Sequence, residues 1–160
     1  MIYPLKIFLL VTAALLLQVT VFPSYIADPL KPNLLIIIVS YVGLKSGRMG
    51  GLLAFGLGIL QDCVSGIFLG LNGFSYLCIF LILNLAADRL YTGSRYLLVL
   101  VVFLATVANG LLQLILLFLF PTTNGIYEPI LSALIPQGLI NALIVSLVFS
   151  IPAVTALEES

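Results

Sequence analysis

Residues 33–61 read NLLIIIVSYVGL-KSGR-MGGLLAFGLGILQ, two short apolar runs parted by the basic turn Lys45-Ser46-Gly47-Arg48. A bilayer core of about 30 Å calls for about 20 apolar residues per helix, with about 17 still enough, so each run is short for a full crossing. Two arrangements fit: a pair of short or tilted spanning helices, or one re-entrant hairpin that returns to the side it entered from. Charge separates them. If both runs span and the N-terminus is cytoplasmic, Lys6, Lys45, Arg48, Arg89 and Arg95 all fall on the inner side, leaving Lys31 alone outside. That is the asymmetry expected of spanning segments, and a hairpin would weaken it. The pair therefore reads as two crossings.

Working outward, the apolar segments fall at 5–22, 33–44, 49–61, 71–87, 96–120 and 130–154, giving an all-α polytopic membrane protein of six helices in a single domain over 1–160, with both ends cytoplasmic. Composition agrees. Hydrophobic residues make up 62% of the chain and charged residues 8%, about a third of what a soluble domain carries. The six Lys/Arg and six Asp/Glu cancel, which argues against a nucleic-acid footprint. The first segment, with Lys6 ahead of an apolar run, resembles a secretory signal, but no Ala-x-Ala site follows and it reads as a retained helix. The longest outer connections, 62–70 and 121–129, hold no domain, so any large partner domain belongs to another chain.

Histidine and tryptophan are absent. The usual neutral-pH base and the commonest metal ligand are therefore missing, serine and cysteine have no histidine to activate them, and no metal or cofactor is expected. Cys63 and Cys78 read as free thiols packed as small apolar residues. Asp62 and Asp88 could form an intramembrane aspartyl pair like that of lipoprotein signal peptidase, but the segment 71–87 would hold them roughly 25 Å apart, too far to share a proton. The chain reads as a non-enzyme.

Gly47, Gly51, Ala54 and Gly58 lie at steps of four, three and four, which puts four small residues on one helical face. Such a face admits a close helix, either from the same chain, the commoner case, or from a partner. The following stretch contains Gln61, Asp62, Gly66, Gly70, Asn72 and Gly73 among apolar residues, as expected of an outer turn or groove folding into the membrane edge. Asp62 within it reads either as a cap in interfacial water or as a buried functional carboxylate. Asn109 and Gln113, and again Gln137 and Asn141, are four apart, so the last two helices each carry an amide stripe suited to interhelix hydrogen bonds or to lining a polar cavity.

The ordered set of features resembles the rod shape-determining MreD family over nearly the whole chain. It comprises Leu17-Gln18-Val-Thr20-Val-Phe22-Pro23, Lys31-Pro32-Asn33-Leu-Leu, Tyr41-Val-Gly43-Leu, Gly50-Gly51, Phe55-Gly56-Leu-Gly58-Ile-Leu-Gln61-Asp62 and Leu69-Gly70-Leu-Asn72-Gly73. Asn33 departs from the family pattern, where an Asp is often found. The resemblance implies a small subunit of the bacterial inner membrane, similar in fold to the substrate-binding subunits of energy-coupling-factor vitamin transporters. It implies direct binding of MreC, and through it a link to MreB filaments and to the peptidoglycan synthase pair of RodA and a class B penicillin-binding protein. No catalytic residues come with it. A solute-binding subunit of the vitamin-transporter type is the second expectation, with the amide stripes and the Asp62 turn as its pocket.

Overall fold

The computed structural model describes residues 2–26, 30–45, 49–65, 68–89, 94–119 and 127–150, with side chains from residue 9 onward in the first helix. These residues are helical almost throughout, and no strand occurs among them. The first rod is α1 (Ile2–Leu16), a π turn (Leu17–Val21) and α2 (Phe22–Tyr25) in unbroken succession. Then come α3 (Leu34–Lys45), α4 (Gly50–Ser65), α5 (Leu71–Ala87), α6 (Arg95–Leu119) and α7 (Tyr127–Val148).

Three boundaries differ from the hydrophobic pattern. The first helix passes through Pro23 instead of ending there, because the preceding π turn carries the Phe22 N–H back to the Leu17 carbonyl and absorbs the proline into the turn that follows. α4 runs to Ser65 instead of stopping at 61, since its polar end is paired rather than solvated. α7 starts at Tyr127, ahead of 130, and keeps its course past an internal Pro136. Gly47, Gly66 and the expected end of the last segment at 151–154 lie outside the described residues.

Among the described residues, α6 and α7 are the two helices long and apolar enough to cross a membrane by length and composition. α3 has 12 residues, α4 16 and α5 17. At about 1.5 Å per residue these are roughly 18, 24 and 26 Å long.

Helix directions follow from cross-chain pairs. Gln18 meets Gln61, Asn33 meets Tyr76, Gln113 meets Asn72, and Asn141 meets both Asn33 and Thr106. Successive rods therefore run antiparallel, and one end of the bundle holds Asn33, the end of α4 and the start of α5. The opposite end holds Lys45, Arg89 and Arg95, while Lys31 lies at the first. At the basic end, the Lys45 ammonium sits 5.1 Å from the Tyr41 ring centroid.

α5 is the central rod. Tyr76, Ile79 and Phe80 on it are fully or almost fully buried against Leu35, Ile36 and Val39 of α3 and Ala54 and Leu57 of α4. The contact with α4 is close enough to require glycine. A Cβ on Gly58 would fall 2.5 Å from the Asn72 carbonyl oxygen and 2.5 Å from the Gly73 Cα, backbone atoms that cannot swing aside. Gly51 faces the Phe80 ring, and Ala54 on the same face is buried. The described part of the small-residue face is thus covered by α5 of the same chain, and a partner's helix could use it only by displacing α5.

Gly58→Ala should force α4 and α5 apart at a cost of about 1–3 kcal/mol, as overpacked cores do. Gly56→Ala, whose Cβ would meet nothing within 4 Å, should be neutral or gain up to about 1 kcal/mol from helix propensity. Thermal denaturation of the two variants in detergent checks the contrast.

Candidate functional site

Eight of the described polar residues gather inside the bundle. Asn33, Ser40, Asp62, Asn72, Ser75, Thr106, Asn109 and Asn141 are all buried, while Leu52, Leu85, Phe118, Leu131 and Leu143 are each more than half exposed. This inverts the distribution of a water-soluble protein and suits a hydrocarbon surround, where each interior polar group must find a partner.

Asp62 is the strongest point of that interior. It is 3% exposed, and its two carboxylate oxygens take four hydrogen bonds. The Gly70 N–H donates to Oδ2 at 2.8 Å and the Gly73 N–H to the same oxygen at 3.2 Å. The Asn72 N–H and side-chain amide both donate to Oδ1 at 2.9 Å. The acceptors are needed because the N-cap of α5 is Gly70, at φ +99°, which has no side chain to cap with. A negative group at a helix N-terminus also meets the positive end of the helix dipole. Gly58 and Asp62 are one turn apart on α4, so the glycine lets the first turn of α5 approach and the carboxylate then caps it. Asp62 is thus both a cap and buried, combining two roles that the sequence presents as alternatives.

Asn72 extends the arrangement, since its side-chain Oδ1 accepts from the Gln113 amide and ties α4, α5 and α6 together. Gln61, just before Asp62, accepts from the Gln18 amide at 2.9 Å, joining the π turn of the first rod to α4. The Gln18 Oε1 has no partner among the described residues.

A second network spans four helices. Asn33 caps α3, its Oδ1 accepting from the Ile36 N–H at 3.3 Å. Its amide donates to the Tyr76 hydroxyl at 2.7 Å, and that hydroxyl donates back to Oδ1 at 2.9 Å. Its backbone N–H donates to Asn141 Oδ1 at 3.0 Å, and the Asn141 amide donates to the Thr106 hydroxyl at 3.0 Å. Gln137 donates to the Lys31 carbonyl at 2.9 Å. Asn141 of the α7 stripe and Gln113 of the α6 stripe therefore serve as interhelix ties, and Gln137 ties α7 to the segment that leads into α3. Asn109 differs, being 3% exposed with its Oδ1 unpartnered.

The sequence marks Asn33 only as a departure from the family pattern, not as a cap, and does not mark Tyr76 or Thr106 at all. Asn33 had a usable signal, an Asn directly before an apolar run. Tyr76 and Thr106 had none, because each meets a residue 35 or more positions away.

Asp62 and Asp88 stand at opposite ends of α5, where no proton can be shared between them. Cys63 and Cys78 are free thiols. Among the described residues no group of three His, Cys, Asp or Glu side chains could hold a metal.

Asp62→Ala should leave three N–H groups of the α5 start unsatisfied and cost about 2–4 kcal/mol, whereas Asp62→Asn, which keeps one acceptor oxygen, should cost roughly half. Tyr76→Phe should cost about 1–2 kcal/mol by stranding the Asn33 amide. Unfolding in mixed micelles would measure all three, and equal stability of Asp62→Ala and the parent would remove the cap from this account.

No curated protein and no solved structure matches the chain. The family described as rod shape-determining protein MreD matches residues 1–157, all but the last three. The ordered motifs, the helical bundle and that near-complete match lead to one conclusion: the chain belongs to the MreD family of membrane proteins, which act in rod-shape determination.

Proposed function

We propose that this chain is a non-enzymatic scaffold of the cell-elongation machinery, a six-crossing inner-membrane subunit that binds MreC directly. Through MreC it is linked to MreB filaments, RodA and a class B penicillin-binding protein. The observation that carries this reading is the division of labour among side chains. Most of the buried polar groups hold the chain's own helices together, and the outside is apolar, so the surface offered to neighbours is one for helices and lipid.

The topology rests on the basic end of the bundle. Lys45, Arg89 and Arg95 gather there and Lys31 lies at the other end, which favours a cytoplasmic basic end and cytoplasmic termini. The likeness of fold to substrate-binding subunits of vitamin transporters belongs to the same reading and rests on the family resemblance.

The partner's helix docks beside the turn from Asp62 to Gly73. With the Gly51, Ala54 and Gly58 face occupied by α5, this is the remaining candidate, and Phe68, Leu69 and Phe74 stand exposed around it. Two aromatic rings and a leucine at one rim are the side-chain types that anchor interfaces.

Leu69→Asn combined with Phe74→Ala should lower the yield of MreC co-purified from native membranes about tenfold, the loss of one modest hot spot, with the melting temperature unchanged. Full yield from this variant would move the interface elsewhere on the bundle.

A further inference from the structure

At the basic end of the bundle, the start of α6 and the end of α7 part to leave a cleft of about 320 Å³. Ser94, Arg95, Ser146 and Ser150 supply its polar lining, and Val99 and Phe149 its apolar wall. None of these residues takes part in the polar networks described above. We propose that this cleft binds the phosphodiester headgroup of an anionic phospholipid, with the acyl chains running along the outer faces of α6 and α7. The proposal rests on the reading of the bundle as membrane-immersed.

The chemistry points to that ligand step by step. The two helix ends bring opposite dipoles, the positive start of α6 and the negative end of α7, so their fields largely cancel. The formal charge in the cleft's lining is the Arg95 guanidinium. A single cation suits a singly charged phosphodiester better than a polyanion, and its planar donor fork suits phosphate oxygens.

The hydroxyls of Ser94 and Ser146 add donors to the lining, while the Ser150 hydroxyl is turned back to the Ser146 carbonyl at 2.7 Å. Tyr96, also on the cleft, is 89% exposed, as expected of an aromatic at the headgroup level. The apolar wall and the adjoining helix faces, where Leu100, Leu104, Leu143 and Leu147 are exposed, favour a ligand with a hydrocarbon tail over free phosphate. Basic clefts between helices at the membrane edge are typical headgroup sites.

The test is native mass spectrometry of the full chain in detergent, titrated separately with phosphatidylglycerol, phosphatidylethanolamine and inorganic phosphate. Phosphatidylglycerol should bind in preference to the other two. Arg95→Gln should weaken it about fivefold, the effect of one interfacial cation. Ser146→Leu should weaken it similarly by filling the cleft without changing charge, and Arg89→Gln should leave it unchanged. Equal loss from Arg89→Gln and Arg95→Gln, equal binding of the two lipids, or binding of phosphate alone would overturn the site. Extraction of a monomer into detergent-free buffer would instead overturn the membrane reading itself, so the two failures are distinguishable.

Discussion

The bundle depends on one carboxylate meeting one helix start. An aspartate buried in apolar surroundings is costly unless its charge is answered, and here three backbone N–H groups and an amide answer it. The same contact satisfies the exposed start of α5, which begins with a glycine that has nothing to offer. Gly58 and Gly70 make the meeting possible in different ways, one by lacking a Cβ where two backbones touch and the other by adopting φ +99°. Since α5 is the rod on which α3, α4 and α6 pack, its position sets theirs.

Around that contact the protein uses amides where a soluble bundle would use leucines. In lipid there is little hydrophobic drive to bring helices together, so close packing and hydrogen bonds must decide which faces meet. Each such bond is individually modest, on average about 0.6 kcal/mol in membrane proteins. Their value lies in selection. Asn141 has one geometry in which it serves both the start of α3 and Thr106 of α6, and that geometry excludes rotated alternatives of α7.

Much of this architecture was legible in the sequence, and the gaps have physical reasons. Apolar runs locate helices well, and α5 occupies the very residues 71–87 that composition marks out. The sequence pattern ends α4 early because Gln61-Asp62 looks like a solvated terminus, and only partners eight to eleven residues beyond Asp62 keep that end inside the bundle. Periodicity placed Gly51, Ala54 and Gly58 on one face but could not say that α5 would fill it. The Asn33, Tyr76 and Thr106 contacts cross long stretches of chain, and no local pattern reports such meetings. The continuation through Pro23 depends on a π turn that the residues Leu17–Val21 do not announce.

The two networks also differ in when they can form. The Asp62 contacts close within 8 to 11 residues, so the α4–α5 hairpin can complete itself as soon as its second half leaves the ribosome. The Asn33 N–H must wait for Asn141, 108 positions later. Until the final segment is synthesised and inserted, the donor at the head of α3 lacks this partner, so the polar interior is completed last, by the helix made last.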